Sequence, residues 1–158
     1  MRYTLLDRIT LLEPGKRIEA IKGLSLSEEY LGDHFPLFPV MPGVFMLEAL
    51  TQASAWLIRA SEDFAHSLVL LDEARNVKYA DFVGPGMLLT VRAEILSQDE
   101  QTTKLQVQGT VGETTVVSAR LVMRRYNLAE KQPQKQPIDL QIIRNLRQLY
   151  DVLSTVPA

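Results

Sequence analysis

The sequence predicts an α+β fold in which an antiparallel β-sheet wraps around one long central helix, with a C-terminal helical extension. Three observations carry this. Two strand-like runs precede a single apolar stretch free of Gly and Pro, and four more follow it; short strands separated by turn signals read as antiparallel sheet. The apolar stretch, Val44 to about Ala60, has Glu48 as its only charge before Arg59, and apolar residues occupy nearly every face, the pattern of a helix enclosed by protein. Beyond residue 137, Ile138, Ile142, Leu146, Leu149, Tyr150 and Leu153 recur at helical spacing with Arg144, Arg147 and Asp151 between them.

Taken in order, Arg2 to Leu12 reads as the first strand and Glu13-Pro14-Gly15-Lys16 as a turn, in which Pro pre-sets φ and Gly accepts φ > 0. Arg17 to Ser27 returns as the second strand, its apolar residues alternating with polar ones. Residues 28–43 hold three prolines within seven positions, which excludes regular helix or central strand. Pro42 suits the start of the helix that follows. The later strands are Ser67 to Tyr79, Met87 to Ser97, Thr103 to Thr110 and Thr114 to Tyr126, which read together as a meander. This gives a domain over residues 1–126, a polar linker over 127–137 and an amphipathic helix over 138–158.

Composition removes several functions. The 158 residues fit one domain, and 46% hydrophobic residues suffice for a core. No run is long and apolar enough to span a bilayer, and Met1 to Arg8 lacks the apolar core of a signal peptide, so the expected location is cytoplasmic, with no membrane partner. The absence of cysteine excludes disulfides, a thiol nucleophile and thiolate metal sites, and two histidines 32 positions apart argue against a His-rich metal centre. A net charge of −2 argues against a nucleic-acid grip. Residues 124–158 nevertheless carry six basic side chains against three acidic, making the tail mildly basic.

The loop before the helix is the distinctive stretch. His34-Phe35-Pro36-Leu37-Phe38-Pro39-Val40-Met41-Pro42-Gly43-Val44, followed by Glu48-Ala49 and Gln52, closely resembles the signature of the FabZ/FabA-type 3-hydroxyacyl-(acyl-carrier-protein) dehydratases of type II fatty acid synthesis, which have the hot-dog fold. The resemblance covers about residues 5–126, including Phe82-Val83-Gly84-Pro85-Gly86 as the family's later turn. The 14-residue separation of His34 and Glu48, and Glu rather than Asp at position 48, match the FabZ branch. Two departures stand out. Leu37 occupies a position where the family commonly has Gly, and the family's segment ahead of the first strand is reduced to Arg2-Tyr3.

These residue types suit the chemistry the resemblance implies. Dehydration of a β-hydroxy thioester needs a base for the C2 proton, a donor to the thioester oxygen and an acid for the departing hydroxyl. An imidazole, with an unperturbed pKa near 6.5, is largely neutral and able to accept a proton near pH 7, which assigns His34 as base. Glu48, isolated on an apolar helix, is expected to be buried, which favours the protonated acid. Gly43 lies where helical N–H groups lack partners and, having no side chain, admits a thioester closely; it is the expected oxyanion donor. Gln52, one turn on, is placed to orient Glu48, and Phe35 and Val44 are expected at the substrate. Without the motif, a histidine among aromatics and prolines is more often structural, and a lone glutamate in an apolar helix can belong to a distant arginine. Trp56, Phe45 and Met46 read as core or interface, His66 as solvated, and Gly84-Pro85-Gly86 as a turn.

The resemblance further implies a homodimer, with a trimer of dimers as a further assembly, in which His of one subunit meets Glu of the other. It implies a substrate carried on the phosphopantetheine of acyl carrier protein, with no metal or redox cofactor. Arg144, Arg147, Lys131 and the Arg124-Arg125 pair are candidates to attract the acidic carrier. Two alternatives stay open: a non-catalytic hot-dog partner that binds acyl carrier or stabilises a complex, and a thioesterase.

Overall fold

The computed structural model describes residues 3–155. Turn chemistry sets the first hairpin: Gly15, at φ +75°, closes β1 (Arg8–Glu13) antiparallel onto β2 (Arg17–Gly23). Both strands are shorter than the sequence suggests, because local bonds replace the ladder. Ahead of β1, Leu5 and Leu6 are buried, and the Leu5 N–H donates to Gln52 Oε1 at 2.9 Å. Beyond β2, the Ser25 hydroxyl accepts from the Ser27 N–H, the kind of side-chain bond that competes with strand pairing. Arg2 lies outside the described residues.

Helix α1 (Gly43–Ser61) follows Pro42, which occupies the N-cap. Leu50, Leu57 and Ile58 are fully buried in one core with Leu89, Leu105, Leu121 and Met123, and Trp56 and Met46 belong to the same core. These partners lie on β4 (Leu88–Gln98), β5 (Thr102–Val111) and β6 (Thr114–Tyr126). With β3 (Leu68–Tyr79), all six strands form one antiparallel sheet of order β1-β2-β4-β5-β6-β3, which encloses α1.

The meander is therefore limited to β4, β5 and β6. The chain between β3 and β4 does not form a hairpin turn, since its backbone is spent across the sheet: Ala80 N–H donates to Val116 O, Met41 N–H to Val83 O and Gly86 N–H to Leu24 O, each at 2.8 Å. The crossover leaves β3 at the sheet's margin with one edge unpaired among the described residues.

The C-terminal extension is folded throughout its described length. Two 3-10 turns, Leu128–Glu130 and Pro133–Lys135, lead into α2 (Gln136–Ser154), so the stretch read as a linker is ordered into turns. Buried Asp139 ties them down by accepting from the Ser67 hydroxyl and from the Leu128 and Ala129 N–H groups. Burial pushes its carboxyl up, but these hydrogen bonds outweigh it and hold the group below its ordinary value. Further along, Tyr150 meets the Phe64 ring edge-on at 5.5 Å and Trp56 at 6.0 Å, and Leu153 is buried. Among the described residues, no helix is long and apolar enough to cross a membrane.

Candidate active site

The loop that carries His34 is held by its own backbone. Phe35 and Phe38 exchange N–H···O bonds (3.3 and 2.9 Å), closing a turn with Pro36 and Leu37 at its tip, while Val40 N–H donates to His34 O at 3.1 Å. The His34–Phe35 peptide is cis. Leu37 is fully exposed at that tip and has no positive φ, so this turn needs none of glycine's freedom. His34 Nδ1 lies 3.0 Å from the Val40 carbonyl oxygen, which can only accept. Nδ1 therefore carries the ring proton in the neutral imidazole, and the Nε2 lone pair is free. The Phe35 ring stacks on the imidazole, centroids 4.3 Å apart.

Gly43 opens α1. Phe45 and Met46 both donate to the Pro42 carbonyl, whereas the Gly43 N–H finds no acceptor among the described residues. A Cβ on Gly43 would lie 3.1 Å from the Tyr79 ring, so glycine is what allows that ring to approach. His34, Gly43, Met46, Tyr79, Asp81 and Phe82 share one cavity of about 300 Å³. Base and oxyanion candidates thus face the same space.

Glu48 does not. It lines a second cavity of about 380 Å³ with Gln52, Trp56, Arg59, Leu71 and Leu149, and His34 is not part of it. The expected burial of Glu48 is not met within one chain: it is exposed, on the α1 face that also exposes Val44 one turn earlier. Gln52 is fixed on three sides: its Nε2 donates to Glu48 Oε1 (2.9 Å) and Tyr3 O (2.7 Å), and its Oε1 accepts from Leu5 N–H. That leaves Glu48 Oε2 as the free oxygen. Phe35 and Val44, expected at the substrate, are exposed beside the His34 cavity and do not line it.

Three of the basic residues read as carrier attractants are engaged within the fold. Arg125 is buried and held by Glu62, the Thr103 hydroxyl and the Asp99 carbonyl. Arg147 pairs with Asp63 at 3.0 Å over the Phe64 ring, and Arg124 pairs with Asp72 at 3.2 Å. Lys131 and Arg144 are exposed. His66 is not simply solvated; it is half-buried and bonded to Glu62 at 2.9 Å. Among the described residues, no three His, Cys, Asp or Glu side chains converge as metal ligands.

Sequence reasoning missed Tyr79, Asp81 and Phe82, because only the crossover from β3 brings them over the start of α1. It also missed Arg59, for which a signal existed: 48, 52, 55 and 59 share one helical face.

One antiparallel sheet wrapped around a single central helix is the hot-dog architecture. Comparison with known proteins narrows this. The FabA-like domain family matches residues 1–120. A 3-hydroxyacyl-(acyl-carrier-protein) dehydratase FabZ from Ruminiclostridium cellulolyticum is 38% identical over 109 residues, 69% of this chain and 77% of the relative. One of the same name from Pediococcus pentosaceus is 37% identical over 122 residues, 76% and 82% of the two chains. Among solved structures, the dehydratase heterocomplex ApeI:P from Xenorhabdus doucetiae superposes with a TM-score of 0.65 at 22% identity, over 85% of this chain and 90% of that one. The smu.793 protein from Streptococcus mutans, bound to acetyl CoA, gives 0.62 at 15% identity, over 79% and 92%. The chain belongs to the FabA-like family, with the FabZ-type dehydratases as its relatives.

Proposed function

We propose that this protein dehydrates (3R)-3-hydroxyacyl thioesters, presented on acyl carrier protein, to trans-2-enoyl thioesters in fatty acid or related lipid or polyketide synthesis. One observation carries the residue assignment: His34 and the free Gly43 N–H face one cavity while Glu48 faces another. A site needing all three is completed between two copies, His34 and Gly43 from one and Glu48 from its partner. The unpaired edge of β3, with exposed Leu70 and Leu71, and the exposed apolar side chains of Phe35, Phe38, Val44 and Phe82 support a face that a second copy covers.

The chemistry follows from these positions. His34 Nε2 takes the C2 proton, and the electron pair of that C–H bond moves toward the thioester carbonyl, whose oxygen accepts from the Gly43 N–H. The pair then forms the C2–C3 double bond as the C3–O bond breaks, and the departing hydroxyl takes the proton from Glu48 Oε2 to leave as water. Gln52 holds Oε1, which fixes the oxygen that carries the proton. Covering by the second copy would enclose Glu48 with the substrate and exclude water from it. The reaction needs no electron acceptor, and no cofactor is assigned beyond the phosphopantetheine carried by the substrate.

The non-catalytic alternative is motivated by Leu37 and by the reduced segment ahead of the first strand; the closed turn at Leu37 favours the catalytic reading. The test is turnover of 3-hydroxyacyl carrier followed as enoyl formation. His34→Ala and Glu48→Gln are each expected to lower kcat by about 10²- to 10⁴-fold. Carrier binding without turnover by the wild type would select the non-catalytic reading, and release of free thiol would select the thioesterase.

A further inference from the structure

The cavity that holds Glu48 has a far end that the dehydration chemistry leaves unused. Three helical turns beyond Glu48, about 16 Å along α1, Arg59 lines the same cavity, and Gln52 and Ala55 between them keep to the same face. The walls are apolar in character: Val69, Leu70 and Leu71 from β3 and Leu149 from α2. Leu149 lies beyond the part of the chain that the family shares.

Arg59 is a half-buried cation with no carboxylate partner among the described residues. Its guanidinium lies over the Trp56 ring, 5.2 Å from the centroid, its Nε is buried without a partner, and among the described residues no carboxylate pairs with it. Arg125, the more completely buried arginine, has Glu62. Burial alone draws the Arg59 pKa down to about 10. A desolvated cation with no counter-charge is costly, and an anion brought to it recovers that cost. A guanidinium is also the group whose planar fork of donors fits a carboxylate with two parallel bonds.

We propose that Arg59 reads the distal end of the acyl chain, so that the preferred substrate is a hydroxyacyl thioester whose far end bears a carboxylate. This rests on the dehydratase reading, with Glu48 marking the reacting end of the cavity. The apolar walls hold the methylenes, Trp56 keeps Arg59 extended beneath its ring, and α2 closes the end through Leu149.

The experiment compares two 3-hydroxyacyl carriers of equal chain length, one ending in methyl and one in carboxylate. The wild type is expected to favour the carboxylate by about 10- to 100-fold in kcat/KM, and Arg59→Met to reverse the order, since a buried donor left unpaired discriminates strongly. A wild-type preference for the methyl end overturns the proposal while leaving dehydration standing. An unchanged preference in Arg59→Met also overturns it, and assigns the arginine to structure or to a carboxylate of the second copy. Should neither carrier turn over, the dehydratase reading fails. Calorimetric binding of the matching saturated pantetheine thioesters then still decides the end preference, equal affinities overturning it.

Discussion

At the scale of single residues, the site depends on what neighbouring side chains leave free. Val40 takes Nδ1 of His34 and thereby frees Nε2; Gln52 takes one oxygen of Glu48 and thereby frees the other. The role proposed for Gly43 depends on its lacking a side chain. In Gly43→Ala, the new Cβ meets the Tyr79 ring at 3.1 Å, and the half-exposed ring yields toward the His34 cavity. The fold tolerates this, because Ala is the better helix former by about 0.5–1 kcal/mol. The expected result is an unchanged or slightly raised Tm with kcat/KM reduced about 10- to 100-fold, since the amide can no longer approach the thioester oxygen. Thermal melting and turnover of the same sample check it; unimpaired turnover would show that no substrate atom comes close to Gly43. The residues proposed for these roles stand out in the sequence because each role needs a particular side chain, or none. The burial expected of Glu48 is not met, since a single sequence does not show which helix face the rest of the fold leaves uncovered.

At the scale of elements, the strand and helix centres were legible and their ends were not. Thr114 to Tyr126 is the sixth strand as read, because Gly112 at φ +57° turns the chain into it. Arg2 to Leu12 reads as strand by composition, yet β1 begins at Arg8, and at Leu5 a glutamine side chain 47 residues distant replaces the ladder partner. Position 66 and the buried arginine at 125 were misread for a related reason: Glu62, on the turn after α1, serves both. The extension illustrates the opposite case, in which one side chain organises an element. Asp139 receives three donors from Ser67, Leu128 and Ala129, so Asp139→Asn is expected to cost about 1–3 kcal/mol by leaving charge-assisted bonds unmade. The pH dependence has a definite sign. The folded carboxyl titrates below the value near 3.9 of an unfolded aspartate, so its stabilisation is complete above about pH 4 and is lost as pH falls through the lower folded value. Urea unfolding of wild type and Asp139→Asn should show a gap at pH 7 that narrows below pH 4. A gap independent of pH would mean that the loss is one of packing.

At the scale of the whole molecule, the proposed site is incomplete within one chain. The sheet order places β3 at an open edge; the loop before α1 and the helix start present His34 and Gly43 to one cavity, whereas the second turn of α1 presents Glu48 to another. Pairing about a two-fold axis would create two equal sites, each drawing its base from one copy and its acid from the other. This makes complementation a sharp test. His34→Ala and Glu48→Gln are each inactive alone, because every site in either homodimer lacks one partner. In a mixed dimer, one site inherits both lesions and the other inherits none. Unfolding the two variants together and refolding them at equal concentration should make half the dimers mixed, so that about a quarter of the wild-type sites, and of its activity, return. Two sites confined to single chains would give no recovery at any ratio. Activity plotted against the mixing ratio should peak at equal amounts and fall symmetrically, a curve that incomplete refolding would lower without shifting its maximum.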